Sequence, residues 1–307
     1  MQIAKVKVAP HPFSVNFSIF SLHFALIVNP LNPSTLKPFN LFFSGEKPRI
    51  FGHRGAAGIA PENTIVSFQR ALQDGAPFVE LDVRGSKDGE IAIIHDATVG
   101  RTTNGHGRVS RHSLKELKVL DAGYWFTPDG GRSYPYRGQK IEIPTLQELF
   151  SAIPQARVII EIKQAHPPIV KKVLEIVRQA GKEEQVLLAT EKDQIMKEIR
   201  REIRAGELPI ATGFSYGEVA AFMAWLAGGK REDYAPPGQA FQIPCEYNGM
   251  TLVSERTLMA AHELAIEMFV WTVNDTAEMA RLVALGVDGI ITDFPARLRD
   301  MVSEKQA

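Results

Sequence analysis

The sequence predicts an α/β protein with the (β/α)8 architecture of a TIM barrel, on three observations. From Arg49 onward, short β-rich apolar runs alternate with amphipathic helical stretches, which is typical of parallel strands joined by helical crossovers. Eight such runs follow one another, and each is associated with a helical pattern. The chain of 307 residues is long enough for one large barrel domain, which typically needs about 250 residues.

The strands are predicted where apolar and β-branched residues run between turn signals. These runs are Arg49–His53, Phe78–Arg84, Val158–Lys163, Val186–Thr190, Pro209–Ser215, Ala240–Pro244, Met268–Val273 and Gly289–Asp293. Helices are predicted from apolar periodicity and terminal glycines. They are Thr64–Gln73, Leu146–Ile153, Pro167–Ala180, Lys192–Arg204, Gly217–Ala227, Glu255–Leu264, Thr276–Leu285 and Ala296–Glu304. An open doubly wound sheet is the alternative, but the first strand lacks the glycine-rich fingerprint that usually follows it in that fold.

One segment departs from the repeat of strand and helix. The gap between Phe78–Arg84 and Ile91–His95 is too short for a crossover helix, so these two runs must be antiparallel. Asp88-Gly89 is a favoured two-residue hairpin turn, and such a loop pairs Asp82 with His95 on one face. Residues 97–145 then form an insertion before the barrel resumes.

Composition and charge argue against several classes of function. Lys plus Arg equals Asp plus Glu, at 35 each, so no net charge favours nucleic acid or an anionic membrane surface. The single cysteine, Cys245, excludes an internal disulfide framework and a multi-cysteine zinc site. We therefore expect a small-molecule substrate and no nucleic-acid partner. The absence of disulfides fits the cytosol, which is the location we favour. No sequence feature identifies an oligomeric interface.

The first 48 residues differ from the rest, and we predict an N-terminal extension over 1–48 and the barrel domain over 49–307. The extension contains an apolar run, Phe17–Val28, whose roughly 12 residues are too few to span a bilayer. The run resembles a signal-peptide core, but Asn29-Pro30 follows it in place of a small-x-small cleavage pattern. A weak export signal, a peripheral anchor and a poorly ordered extension are all open, and we favour the last. No stable membrane span is expected.

Polar residues stand at the predicted carboxyl ends of the strands, where the active sites of barrels lie. Glu80 and Asp82 are two residues apart and so share one face of their strand, and Glu161 ends the next barrel strand along the chain. Converging carboxylates repel unless a cation joins them, and oxygen ligands favour Mg²⁺, Ca²⁺ or Mn²⁺ over zinc. The pattern therefore predicts a divalent metal site.

Histidines and cationic side chains accompany these acids. Arg54 and Lys163 add the fixed positive charge that a phosphate group needs. The strand and hairpin ends also carry His53 and His95, and two histidines can exchange protons with an attacking and a leaving oxygen. Metal, cations and an acid–base pair together predict the cleavage of a phosphodiester.

The same residues belong to a longer series of motifs. In chain order these are His53-Arg54-Gly55, Pro61-Glu62-Asn63-Thr64, Glu80-Leu81-Asp82-Val83, His95-Asp96, Arg101-Thr102-Thr103-Asn104-Gly105, Leu120-Asp121-Ala122-Gly123, Ile143-Pro144-Thr145-Leu146, Glu161-Ile162-Lys163, Trp271-Thr272-Val273-Asn274 and Gly289-Ile290-Ile291-Thr292-Asp293. The series resembles the glycerophosphodiester phosphodiesterase family over about residues 49–300. The resemblance implies metal-dependent hydrolysis of glycerophosphodiesters to glycerol 3-phosphate and an alcohol.

The resemblance also implies a set of site residues. These are His53 and His95 for acid–base catalysis, Glu80, Asp82 and Glu161 for a divalent cation (Mg²⁺ or Ca²⁺), and Arg54, Lys163, Trp271 and Glu62 for the substrate. For Glu62, bracing the mouth and reaching the glycerol hydroxyls are both open. Three other functions compete: a lysophospholipase D acting on lysophospholipids, a non-catalytic phosphodiester-binding protein, and a sugar-phosphate isomerase, which would not need the cluster of three carboxylates. The intact pair of histidines argues against the second.

Overall fold

The computed structural model describes residues 40–229 and 234–306. Its strands are β1 (Arg49–His53), β2 (Phe78–Gly85), β3 (Ile91–Ile93), β4 (Arg157–Ile162), β5 (Val186–Ala189), β6 (Ala211–Thr212), β7 (Ala240–Ile243), β8 (Glu246–Tyr247), β9 (Met250–Thr251), β10 (Glu267–Val270) and β11 (Gly289–Thr292). Its helices are α1 (Ile65–Gln73), α2 (Leu114–Lys118), α3 (Leu146–Ala152), α4 (Val170–Gln179), α5 (Asp193–Ala205), α6 (Tyr216–Gly228), α7 (Glu255–Glu263), α8 (Thr276–Leu285) and α9 (Pro295–Gln306).

Eight strands form a nearly closed parallel barrel in the order β6-β5-β4-β2-β1-β11-β10-β7. Every neighbouring pair in this path is parallel, and within the described part of the chain only β3 joins the same sheet antiparallel, beside β2. Between the two ends of the path, the backbone N–H of Gln239 donates to the carbonyl of Thr212 at 2.9 Å. The predicted fold class and all eight predicted barrel strands are confirmed.

Strand β6, the fifth of the barrel along the chain, is shorter than its predicted span, Pro209–Ser215. Only Ala211–Thr212 pair as strand: the N–H of Gly213 still donates to the carbonyl of Leu188 in β5, but the backbone beyond it is hydrogen-bonded to side chains. The carbonyl of Gly213 accepts a hydrogen bond from the guanidinium of Arg200 at 2.7 Å. Ser215 then caps α6, with its backbone N–H donating to Glu218 at 3.0 Å.

The predicted two-residue hairpin loop is wrong by one residue. Val83 pairs with Ile93, and the backbone N–H of Ile94 donates to the carbonyl of Asp82. His95 is therefore not the residue opposite Asp82. The turn has three residues because Gly89 adopts a left-handed φ of +82° and the hydroxyl of Ser86 accepts the backbone N–H of Glu90 at 2.9 Å.

The insertion at residues 97–145 has a small core of its own. It is built on the outer part of the hairpin and consists of Ala92, Ile94, Val99, Val109, Leu117, Ala122 and Ile143. The insertion also contacts the hairpin turn, where the backbone N–H of Leu114 donates to the carboxylate of Asp88 at 2.9 Å. The hairpin and the insertion thus form one packed unit beside the barrel mouth.

Aromatic side chains fill the barrel below its mouth. The rings of Phe78 and Phe269 lie 4.8 and 4.7 Å from that of Phe51. A short 3-10 helix at Leu41–Phe43 closes the floor, where Phe42 is fully buried with its ring 5.7 Å from Phe78. The polar mouth therefore lies above an aromatic plug, formed by Phe42, Phe51, Phe78 and Phe269.

The structure describes only the end of the predicted N-terminal extension. Residues 40–48 pack on the barrel floor, where Asn40 donates to the carbonyl of Pro209 and Lys47 pairs with buried Asp288 at 2.5 Å. The apolar run Phe17–Val28 lies outside the described residues, so its predicted character and the cytoplasmic location stay predictions. Across 40–229 and 234–306, no helix combines the length and apolarity that a bilayer crossing requires.

We expect Phe42→Ala to lower the free energy of unfolding by about 3–5 kcal/mol, because the change leaves a cavity in the barrel floor. Urea unfolding of the full chain measures the effect. Leu41→Ala, at the exposed neighbouring position, is the matched control and is expected to change stability little. Equal unfolding midpoints for the two variants would contradict the packing of this segment.

Candidate active site

The parallel register of three strands builds the centre of the site. His53 lies beside Glu80 in the pairing of β1 with β2, and Asp82 lies beside Glu161 in the pairing of β2 with β4. Phe51, two residues before His53, points into the barrel interior, and side chains two apart share a face. The four polar side chains therefore converge on the mouth, directly above the aromatic plug.

Glu80, Asp82 and Glu161 form a carboxylate cluster that could hold a metal ion. Each offers one oxygen, and these oxygens lie within 4.8 Å of one another. Burial and the neighbouring charge of Asp82 raise the pKa of Glu80 to about 7, and burial also raises that of Glu161. Such a buried all-oxygen donor set fits a hard divalent cation, whose charge would offset the repulsion.

Two basic side chains border the carboxylate cluster. The ammonium of Lys163 lies 2.7 Å from Glu161 and 3.3 Å from Asp82. The guanidinium of Arg54 lies 3.2 Å from Asp82, and the backbone N–H of Arg54 donates to Glu80 at 3.0 Å. Both cations are only 14–18% exposed, so their charge acts at short range on whatever enters the mouth.

His53 is held by a carboxylate from the last barrel strand. Its Nδ1 lies 2.7 Å from Asp293, and its Nε2 faces Glu80 at 4.0 Å. Burial alone would lower the pKa of His53, but the Asp293 hydrogen bond and the charge of Glu80 outweigh it, so the pKa is raised. Asn274 holds Asp293 in turn with a 2.6 Å hydrogen bond.

His95 is held in the same way by its neighbour in sequence. Its Nδ1 lies 2.6 Å from the carboxylate of Asp96, which also accepts a 2.7 Å hydrogen bond from Arg101. In both histidines the carboxylate takes Nδ1, so Nε2 is the nitrogen left to exchange a proton with a substrate. The structure thus holds two histidine–aspartate pairs at one mouth.

Glu62 joins the two sides of the mouth. It accepts hydrogen bonds from Arg54 at 2.8 Å and from both terminal nitrogens of Arg101 at 2.7 Å. Burial would raise the pKa of Glu62, but these hydrogen bonds and charges lower it to about 2. Of the two contributions that the sequence left open for Glu62, these contacts favour bracing the mouth.

Trp271 stands apart from the charged residues. It follows β10 at the mouth and is 43% exposed, with its backbone N–H bonded to the carbonyl of Ile243. Its ring belongs to the rim of the mouth rather than to the cluster of acids and histidines.

Four residues that hold the site together were not singled out by the sequence. Asp96, Arg101 and Asp293 stand within the motifs with no predicted role, although Asp96 follows His95 and Asp293 ends its predicted strand. Asn63 likewise stands within a motif with no predicted role in the site. In the structure Thr64 caps α1, and Asn63, with a left-handed φ of +57°, donates to Asp82 at 2.9 Å. The signal in the sequence that could have identified these four residues is their polar character at positions inside the motifs.

Comparison with known proteins identifies the family. The profile of the glycerophosphoryl diester phosphodiesterase family matches residues 53–297. The chain belongs to this family. A glycerophosphodiester phosphodiesterase of Caldanaerobacter subterraneus is 33% identical to it over 267 residues, which cover 83% of this chain and 98% of that relative. The predictions of family and of an enzyme are confirmed.

Two further relatives of the glycerophosphoryl diester phosphodiesterase family bear on the fold and the substrate. The structure of a phosphodiesterase from Oleispira antarctica, in complex with the product sn-glycerol-3-phosphate, matches with a TM-score of 0.66 at 26% identity and covers 83% of this chain and 97% of that one. Lysophospholipase D GDPD1 of Mus musculus is 28% identical over 284 residues, covering 84% of this chain and 87% of that relative.

We expect Asp293→Asn to lower kcat on the order of 10- to 100-fold, because an amide no longer fixes the imidazole of His53 through an ionic hydrogen bond. KM and the thermal midpoint should change little. Asp300→Asn, an exposed carboxylate on α9 paired with its neighbour Arg299, is the matched control. Steady-state kinetics with glycerophosphocholine test this, and an unchanged kcat would separate Asp293 from catalysis.

Proposed function

We propose that the protein hydrolyses glycerophosphodiesters to glycerol 3-phosphate and an alcohol, with a divalent cation on Glu80, Asp82 and Glu161 and with His53 and His95 as the acid–base pair. The observation that carries this proposal is one mouth with a three-carboxylate cluster and two histidine–aspartate pairs. Mg²⁺ and Ca²⁺ are the cations we propose, since the donors are all carboxylate oxygens.

The phosphate of the substrate needs positive charge from the protein. Arg54 and Lys163 lie against the acids of the cluster, so a phosphate bound at its edge would meet both cations. When bound, the cation would supply Lewis-acid stabilisation of the charge that builds on the phosphate oxygens. Arg54 and Lys163 would add to that stabilisation from fixed positions.

Proton transfer falls to the two histidines. Asp293 and Asp96 each hold one Nδ1, which fixes the ring and directs Nε2 as the exchanging nitrogen. One histidine accepts a proton from the nucleophile while the other donates a proton to the leaving alkoxide. The nucleophile is either water, which gives glycerol 3-phosphate directly, or the glycerol 2-hydroxyl, which gives a cyclic phosphate that water then opens to glycerol 3-phosphate.

We expect the purified full chain to release glycerol 3-phosphate from glycerophosphocholine with Mg²⁺ or Ca²⁺, and EDTA to abolish the release. Glu80→Gln, Asp82→Asn and Glu161→Gln should lose at least about tenfold in metal affinity by calorimetry, because each removes a charged oxygen ligand. Glu191→Gln is the matched control, since Glu191 is an exposed acid on the same mouth whose charge acts on Glu161.

The histidine variants separate metal binding from proton transfer. His53→Ala and His95→Ala should keep metal affinity and lose about 10²- to 10⁴-fold in kcat. Near-normal turnover in both variants would refute the two-histidine mechanism. Release that persists in EDTA would refute the cation, and no release with any metal, from a folded sample, would refute the substrate.

A second candidate function is lysophospholipase D activity, and the rim of the mouth favours it. Four large apolar side chains in the segments that follow β6, β7 and β10 are between 43% and 58% exposed, namely Tyr216 at the start of α6, Tyr247 in β8, Met250 in β9 and Trp271. These strands are neighbours, and the rings of Tyr216 and Tyr247 are 5.6 Å apart. An exposed apolar cluster beside a phosphodiester site suits a substrate with an acyl chain.

We expect lysophosphatidylcholine to be cleaved if this second function holds, and Tyr247→Ser with Met250→Ser to raise its KM several-fold through lost apolar contact. KM for glycerophosphocholine, which has no acyl chain, should be unchanged. Met259→Ser, an exposed methionine on the outer helix α7, is the matched control. Equal effects on both substrates would exclude the rim as an acyl-chain site.

A further inference from the structure

A chain of ionic contacts links the two sides of the active-site mouth through a residue of the insertion. Starting from His95, the contacts run to Asp96 at 2.6 Å, then to Arg101 at 2.7 Å, then to Glu62 at 2.7 Å and finally to Arg54 at 2.8 Å. One end is a proposed acid–base residue and the other is a proposed phosphate ligand. Arg101 is the central member and belongs to neither group.

The geometry of Arg101 makes this link specific. Its Nη1 and Nη2 donate to the two oxygens of Glu62, while Nε donates to Asp96. Two edges of one planar guanidinium thus each bind a carboxylate, which a lysine ammonium cannot reproduce. Arg101 is 47% exposed, while its partners Glu62 and Asp96 are 19% and 29% exposed, so the pairing is partly shielded from water by the two carboxylates.

Arg101 joins two separate segments of the chain at the active-site mouth. Glu62 and Arg54 belong to the loop after β1, whereas Asp96 and Arg101 belong to the hairpin end and the insertion. The insertion has its own core, so Arg101 ties that unit to the barrel at the active-site mouth. Without Arg101, Asp96 and Glu62 would each lose their principal partner, and Asp96 could rotate away from His95.

We propose that Arg101 is a positioning residue that sets His95 and Arg54 in register across the mouth, through Asp96 on one side and Glu62 on the other. The proposal rests on the proposed function, because it assumes that His95 exchanges a proton and that Arg54 binds phosphate. It makes the insertion a part of the catalytic apparatus rather than an appendage of the barrel.

The test compares the full-length wild type with Arg101→Ala and Arg101→Lys on glycerophosphocholine. Arg101→Ala should lower kcat on the order of 10- to 100-fold and raise KM, because both ends of the link lose their restraint. Arg101→Lys should recover only part of the loss, and added guanidinium chloride should restore activity to Arg101→Ala at concentrations that leave the wild type unaffected. Metal affinity by calorimetry should be unchanged in both.

Further variants separate positioning from stability. Asp96→Asn should act chiefly on kcat and Glu62→Gln chiefly on KM, and either change combined with Arg101→Ala should add little to Arg101→Ala alone. Arg111→Ala is the matched control, an exposed arginine of the same insertion. Wild-type activity keeps this test distinct from that of the proposed function, since an inactive wild type would refute the function itself.

Either of two results with Arg101→Ala would overturn the proposal. One is an Arg101→Ala enzyme with kinetics within twofold of the wild type. The other is a loss that guanidinium does not restore and that accompanies a lowered thermal midpoint or weakened metal binding, which would make Arg101 a purely structural anchor. If Arg101→Ala does not fold, Arg101→Lys decides, since full activity in that variant would contradict the need for a two-edged donor.

Discussion

Repulsion among three carboxylates is the constraint around which the mouth of this barrel is organised. The register of β2 between β1 and β4 fixes Glu80, Asp82 and Glu161 within 4.8 Å of one another, above a plug of phenylalanine rings. The plug excludes water from below, so the acids cannot be solvated from that side. Burial and the neighbouring charge of Asp82 therefore raise the pKa of Glu80 to about 7.

Most of the contacts around the three carboxylates offset the repulsion among them. Lys163 and Arg54 contribute positive charge, and Asn63 donates a neutral hydrogen bond to Asp82. His53, on the adjoining strand, places its Nε2 4.0 Å from Glu80, while Asp293 lies 2.7 Å from its Nδ1. The groups that stabilise the acids are therefore cations and proton donors, which are also the groups a phosphodiester needs for binding and cleavage. Stability and function draw on the same side chains here.

The sequence predicted what periodicity and strand ends determine, and it failed where side chains decide. The eight barrel strands and the convergence of Glu80, Asp82 and Glu161 follow from alternation and from the position of strand ends. The hairpin register did not follow, because a hydroxyl of Ser86 and a left-handed Gly89 lengthen the turn by one residue. The contact of Arg101 with Glu62 spans 39 residues between two loops, and no periodic pattern encodes it.

The finished mouth has two chemically different sides. Around β2, β1 and β11 lie the acids, the histidines and the ionic link through Arg101, while around β10, β7 and β6 lie exposed rings and methionine. A phosphodiester held on the charged side would extend any apolar portion toward the other side, where no group proposed for catalysis stands. The range of alcohols or acyl chains accepted would then depend on loops that can vary without disturbing the carboxylate cluster. This separation allows the catalytic centre to be retained while substitutions in the rim change which substrates are accepted.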